Sequence, residues 1–165
     1  MTVRPIVRFP DPRLRVIAES VTNFGTELQS LAADLVDTMR AAPGIGITAP
    51  HIGVLLRLVV IELSASNGVR SYVNPKIVWA SPDSIRHREG SVSMLGVMEE
   101  IERPARIQVS YHDLSGAERL EEVDGLLAVC LQHEIDQLDG IFWIQRLSRL
   151  KRDRLTKQYE KLDAS

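Results

Sequence analysis

Residues 126–138 constrain this chain more than any other stretch. They read Leu-Leu-Ala-Val-Cys-Leu-Gln-His-Glu-Ile-Asp-Gln-Leu, with apolar side chains at 126, 127, 129, 130, 131, 135 and 138. On a helix those positions cover most of the circumference, so the segment must be surrounded by other elements. Yet His133 and Gln137 extend the stripe begun by Leu126 and Cys130. Glu134 lies on the neighbouring stripe with Leu127, Leu131 and Leu138. A charged group on an apolar helix face is costly unless it is paired or has a chemical task.

The rest of the chain says what surrounds this helix. Leu28, Leu31, Leu35 and Met39 recur at helical spacing over 26–41, with Thr26 as a cap and Pro43-Gly44 as a stop. Residues 55–63 read as a buried strand. Short strands are expected at 71–73 and 77–79 around Asn74-Pro75, then at 86–92, 98–102, 105–112 and 118–123. Asp124 opens the helix of 126–138 and Gly140 ends it. A third, basic amphipathic helix is expected over 148–162. Residues 1–24, with Pro5, Pro10 and Pro12, read as an extended arm. This order predicts an α+β fold, with helices segregated from antiparallel sheet. The 165 residues carry no repeat or linker and are expected to form a single domain, 1–165.

Charge and cysteine content narrow the function classes. A net charge of −2 gives no global attraction to DNA or to a membrane surface. No apolar run is long enough to span a bilayer, and no signal peptide is expected. The lone Cys130 excludes an intrachain disulfide, which fits a cytoplasmic location.

One chemical task accounts for a histidine followed by glutamate on such a helix. In His-Glu-x-x-His, two imidazoles one turn apart hold a metal, and the glutamate serves as general base toward metal-bound water. Here the closing position is Gln137. Taken alone, His133 reads rather as a core histidine with its ring nitrogens satisfied.

Three segments together resemble the motifs of the peptide deformylases, which remove the formyl group from N-formylmethionyl peptides. The first is Gly44-Ile45-Gly46-Ile47-Thr48-Ala49-Pro50-His51, which in the family ends in glutamine. The second is Glu89-Gly90-Ser91-Val92-Ser93, which carries cysteine in third place. The third is His133-Glu134-Ile135-Asp136-Gln137, which ends in histidine. The opening Arg8-Phe9-Pro10-Asp11-Pro12-Arg13-Leu14 and the Asn74-Pro75 pair are also similar to the family. The resemblance implies antiparallel sheets around a central helix carrying the degenerate HExxQ motif. It implies Fe(2+), replaceable by Zn(2+) or Ni(2+), held by one cysteine and two histidines. Those ligand positions fall on Ser91, His133 and Gln137; the general base falls on Glu134, and the oxyanion donors fall on His51 and Val92.

Two of the three ligand positions are therefore replaced. A thiol with a pKa of about 8.5 ionises readily on a metal, whereas a serine hydroxyl is hard and far less acidic. A glutamine carbonyl is a weak ligand for ions that favour imidazole and thiolate. Zinc sites are worth roughly 10–16 kcal/mol in apparent binding, and losing on the order of half takes affinity from tight to about millimolar. No bound metal is expected, and formamide hydrolysis is expected to be lost or strongly reduced. The alternative is an active hydrolase with unusual coordination, through His133 with His51 or Glu134. Two further arrangements stay open: a Ser91–His133 hydrogen bond, and mutual satisfaction of Ser91, His133, Glu134 and Gln137 around a water.

The resemblance also places a pocket for the substrate's methionine side chain at Ile45, Gly46, Leu126, Val129 and Cys130. Ordinary core packing explains the helix residues as well when they are taken singly. Leu95 stands where the family has proline, and Thr48 where it has alanine. Arg146, Arg149, Lys151, Arg152, Arg154, Lys157 and Lys161 make the C-terminal helix basic, in a region that the family uses on the ribosome. The expected partners are N-terminal (formyl)methionyl peptides and the ribosome.

Overall fold

The computed structural model describes residues 2–164. Helix α1 (Thr26–Ala41) buries Leu28, Ala32, Leu35 and Met39, the stripe set by its spacing. Its N-cap is Gly25 rather than Thr26, which is already the first helical residue. The strands are β1 (Gly46–Thr48), β2 (Leu58–Ile61), β3 (Arg70–Ala80), β4 (Ser84–Ser91), β5 (Met94–Pro104), β6 (Arg106–His112) and β7 (Glu118–Asp124). All pairings between them are antiparallel, in a five-stranded sheet of order β1-β2-β3-β6-β7 and a separate β4-β5 hairpin. Helices α2 (Gly125–Leu138) and α3 (Arg149–Asp163) follow. The architecture is α+β. Among the described residues, no helix is long and apolar enough to cross a membrane.

The sheet carries α1 and α2 on separate apolar clusters. Alternation along β2 sends Leu58 and Val60 to the α1 cluster, and Val59 and Ile61 to the α2 cluster. On the α2 side, Ala128, Leu131, Ile135 and Leu138 meet Tyr72, Ile107, Val109 and Val123. This burial is why the helix reads apolar almost all round. A third cluster joins Val7 and Leu14 of the arm to Met94, Val97 and Ile101 of β5, and to Leu155 and Tyr159 of α3. Gly140 ends α2 at φ 75, where a Cβ would stand 2.7 Å from the Arg15 carbonyl oxygen. Only glycine satisfies both conditions. Asp124 occupies the N-cap place of α2, but its side chain makes no capping bond. Ser148 does cap α3, accepting the Lys151 N–H at 3.3 Å.

The strands expected at 71–73 and 77–79 are one strand, β3. Proline lacks the N–H that a ladder needs, which argues for a break at Pro75. The chain instead places Pro75 at a register shift between Val73 and Lys76, with Asn74 at φ 50. Asn74 then ties down the arm: its Oδ1 accepts the Val21 N–H at 2.8 Å, and its Nδ2 donates to the Val21 carbonyl at 2.9 Å. Asn74→Ala is expected to cost about 2 kcal/mol through these two bonds. Chemical denaturation measures the loss, and faster hydrogen exchange at Val21 localises it.

Candidate functional site

The carboxylate of Glu89, on β4, organises the site. Glu89 is buried, as are Arg103 on β5 and Asp136 on α2. Arg103 donates through Nη2 to Glu89 Oε1 at 2.9 Å and through Nη1 to Asp136 Oδ2 at 2.9 Å. Arg146 closes the chain on Asp136, with bonds of 2.9 and 2.7 Å. At the other end, His133 Nδ1–H donates to Glu89 Oε1 at 2.8 Å. That bond fixes the ring orientation and leaves Nε2 as the free nitrogen of His133.

The electrostatics follow from this burial and pairing. Desolvation alone would raise the Glu89 pKa, but bonds from His133 and Arg103 outweigh it and hold the carboxyl at about 2. Desolvation pulls His133 down, yet the Glu89 bond and the charges of Glu134 and Glu89 leave its pKa raised. Glu134 is pushed up to about 7 by burial, opposed by His133. Its Oε1 lies 3.7 Å from His133 Nε2, and its Oε2 is buried without a hydrogen-bond partner. Gly46 leaves room for it: a Cβ there would lie 3.1 Å from Oε2.

The two replaced ligand positions each make one hydrogen bond to backbone. Gln137 is buried and donates its Nε2–H to the Leu14 carbonyl of the arm at 2.7 Å. A carbonyl only accepts, so this contact fixes which end of the amide faces the arm. Ser91 Oγ accepts the Ser93 N–H at 3.0 Å. His133 is bonded to Glu89 and not to Ser91, so the Ser91–His133 hydrogen bond is not formed. Gln137 is tied to the arm through its nitrogen alone.

His51 is buried and makes a tight local turn. Its Nδ1 accepts the Thr48 backbone N–H at 2.9 Å, so in the neutral ring the proton is on Nε2. Burial, with the charge of His133, lowers its pKa to about 3 and keeps the ring neutral. Nε2 is buried with no partner. His51 therefore presents an N–H donor, the character an oxyanion position requires, and not the lone pair that a metal needs.

Ile45, Gly46, Leu126, Val129 and Cys130 line one groove of 450 Å³, whose wall also includes Val92, Ser91, His133 and Glu134. Ile45 is 41% and Leu126 39% exposed, more than core packing predicts. Burial, with Glu134 and Glu89 nearby, pushes the Cys130 thiol up to about 12, so it is no ready nucleophile. His51 and Gln137 lie outside the lining.

The donor set offered to a metal is thus one imidazole, one alcohol and one amide tethered by its nitrogen. Iron or zinc takes softer, more basic donors, and these residues do not fit it. Among the described residues, no group of three His, Cys, Asp or Glu side chains is arranged to hold an ion.

No pattern singled out Arg103 as the partner of Glu89, or Asp136 and Arg146 as the groups that continue the chain beyond it. A partial signal was present for the first. Ile101 and Arg103 share a face of β5, and a lone cation on a buried stripe calls for a carboxylate. Arg146 precedes α3 and, although its side chain is 47% exposed, pairs with the buried Asp136.

The chain belongs to the polypeptide deformylase family, which its sequence matches over residues 3–153. Members of that family are metalloenzymes. The chain is 67% identical over 162 residues to a protein of Brucella suis named "Peptide deformylase-like", covering 98% of this chain and 99% of the relative. It is 41% identical over 165 residues to a protein of the same organism named "Peptide deformylase", covering 98% and 94%. Among solved structures, a peptide deformylase from Legionella pneumophila superposes with a TM-score of 0.94 at 38% identity, over 99% of this chain and 96% of that one.

Proposed function

We propose that this protein is a deformylase-fold relative in which metal-dependent hydrolysis of formyl groups is lost or strongly reduced, and in which the groove persists as a binding site for the N-terminal methionyl segment of peptides. The observation that carries this reading is the donor set. The side chain at the third ligand position is an amide whose nitrogen donates to Leu14, which leaves a neutral carbonyl oxygen as its one possible ligand atom. Ser91 adds no thiolate. Without a Lewis acid, Glu134 would have to activate ordinary water unaided, although the metal's part is to make hydroxide near neutral pH. Five relatives named "Peptide deformylase-like" lie at 55–67% identity and three named "Peptide deformylase" at 41–42%, which supports a distinct subgroup.

The second reading is a working hydrolase that holds its metal through His133 with His51 or Glu134. The 3.7 Å separation of Glu134 Oε1 and His133 Nε2 favours it. The Nε2 proton of His51 opposes it. We further propose a cytoplasmic location, a role near protein synthesis, and ribosome contact through the exposed cations of α3.

Turnover of formyl-Met-Ala-Ser by anaerobically purified protein separates the two readings, with iron, nickel or zinc added in turn. The first reading expects rates at least about a thousandfold below a metal-replete family member under every condition. A rate within about tenfold of such an enzyme refutes it.

A further inference from the structure

Val92 and Leu95 form a wall between two cavities. On one side lies the groove. On the other lies a smaller cavity of 160 Å³, completed by Arg8, Ser93, Tyr159, Leu162 and Asp163. The wall belongs to the tip of the β4-β5 hairpin, and the tip is poorly held by strand pairing. Ser91 pairs with Met94, but the next pair is Glu89 with Glu99. Residues 95–98 of β5 therefore stand opposite Gly90 alone, and Gly96 takes φ +89. A ladder interrupted in this way resists opening weakly.

Packing from α3 supplies the restraint. Leu162, itself 48% exposed, lies over Gly96, where an added Cβ would stand 3.1 Å from its Cδ1. Tyr159 is buried in the same cluster as Met94 and Val97. Its ring meets the edge of Phe9 with centroids 6.0 Å apart, and the Phe9 N–H donates to the Ser93 carbonyl at 2.9 Å. The Ser93 hydroxyl, 1% exposed, has no hydrogen-bond partner. On the α3 side, the tip is thus held chiefly by apolar contact with the last turns of that helix.

We propose that the end of α3 clamps the hairpin tip, and that its seating on Gly96 sets how far the groove stands open. Loosening the last turn lets residues 91–98 move away from α2 and widens the groove, with no change to Glu134 or His133. This deepens the reading of the groove as a peptide site by naming what controls its width. Its consequence for peptide binding rests on that reading.

Cys130 is a built-in reporter, since it is the only cysteine and lines the groove from α2. The test is the rate at which a neutral maleimide labels Cys130 in the full chain at one fixed pH. Leu162→Ala is expected to label about fivefold faster or more, with faster hydrogen exchange confined to 91–98. Leu150→Ala, on the same helix at a side chain 69% exposed, is expected to match the unaltered protein. Leu162→Val, a smaller truncation, is expected to fall between, and it serves if the alanine variant loses its near-ultraviolet circular dichroism. Unchanged labelling in a folded Leu162 variant overturns the clamp, as does equal acceleration by Leu150→Ala. Binding of Met-Ala-Ser to the same proteins is a separate arm. Failure of the unaltered protein to bind refutes the peptide reading and leaves the thiol result to decide the clamp.

Discussion

The double substitution Ser91→Cys with Gln137→His is expected to bind one iron, nickel or zinc ion per chain and to raise formyl-peptide hydrolysis by about a thousandfold or more. The residues that would serve such an ion are already in place. His133 is oriented through Nδ1 by Glu89, leaving Nε2 free, and Glu134 stands beside it. The second imidazole restores the two-histidine turn of the helix, and the thiolate adds soft negative charge. Each single change is expected to give weaker and sub-stoichiometric binding, because two of three ligands hold a transition ion poorly. The second ring nitrogen of a histidine at 137 can take over the donation to Leu14, so the change in stability is expected to be about 1 kcal/mol or less. Metal analysis after gel filtration and a formyl-peptide assay read both effects. A folded double variant that stays metal-free would show that Ser91 and Gln137 are not what disables the site.

Glu89→Ala is expected to be the most damaging single substitution outside the apolar clusters, at about 3–5 kcal/mol. It strips the bidentate partner from Arg103 and the Nδ1 partner from His133, all in a buried setting. For a chain of this size that corresponds to a fall in Tm of roughly 10 °C or more. The same carboxyl gives a pH signature. Its folded pKa, about 2, lies below its ordinary value of 4.5. Its contribution is therefore complete above the ordinary value and is lost as pH falls from there through about 2. The unaltered protein should lose stability across that window, and Glu89→Ala should lose much less. Equal acid sensitivity of the two proteins would remove Glu89 from the account.

Some of this was legible before any coordinates. The central helix was, because its apolar positions leave no face for solvent and its polar residues fall one turn apart. The family was, because three short motifs keep their order and spacing while single residues within them change. What stayed hidden depends on pairs far apart in the chain. Gln137 reaches Leu14 across 123 positions, and Asn74 reaches Val21 across 53. No local pattern announces such bonds. Pro75 misled for a related reason: it reads as a strand break, and only the register shift beside it explains how β3 continues. Arg146 looked like one more unpaired surface cation, and its pairing with Asp136 depends on where the chain turns after α2.

The most direct test of the central claim is a zinc titration of the unaltered, chelator-treated protein, followed by competition with a coloured chelator. The account predicts saturation only in the region of about millimolar zinc, as expected of one imidazole with two weak partners. One equivalent bound at micromolar concentration or tighter would contradict it.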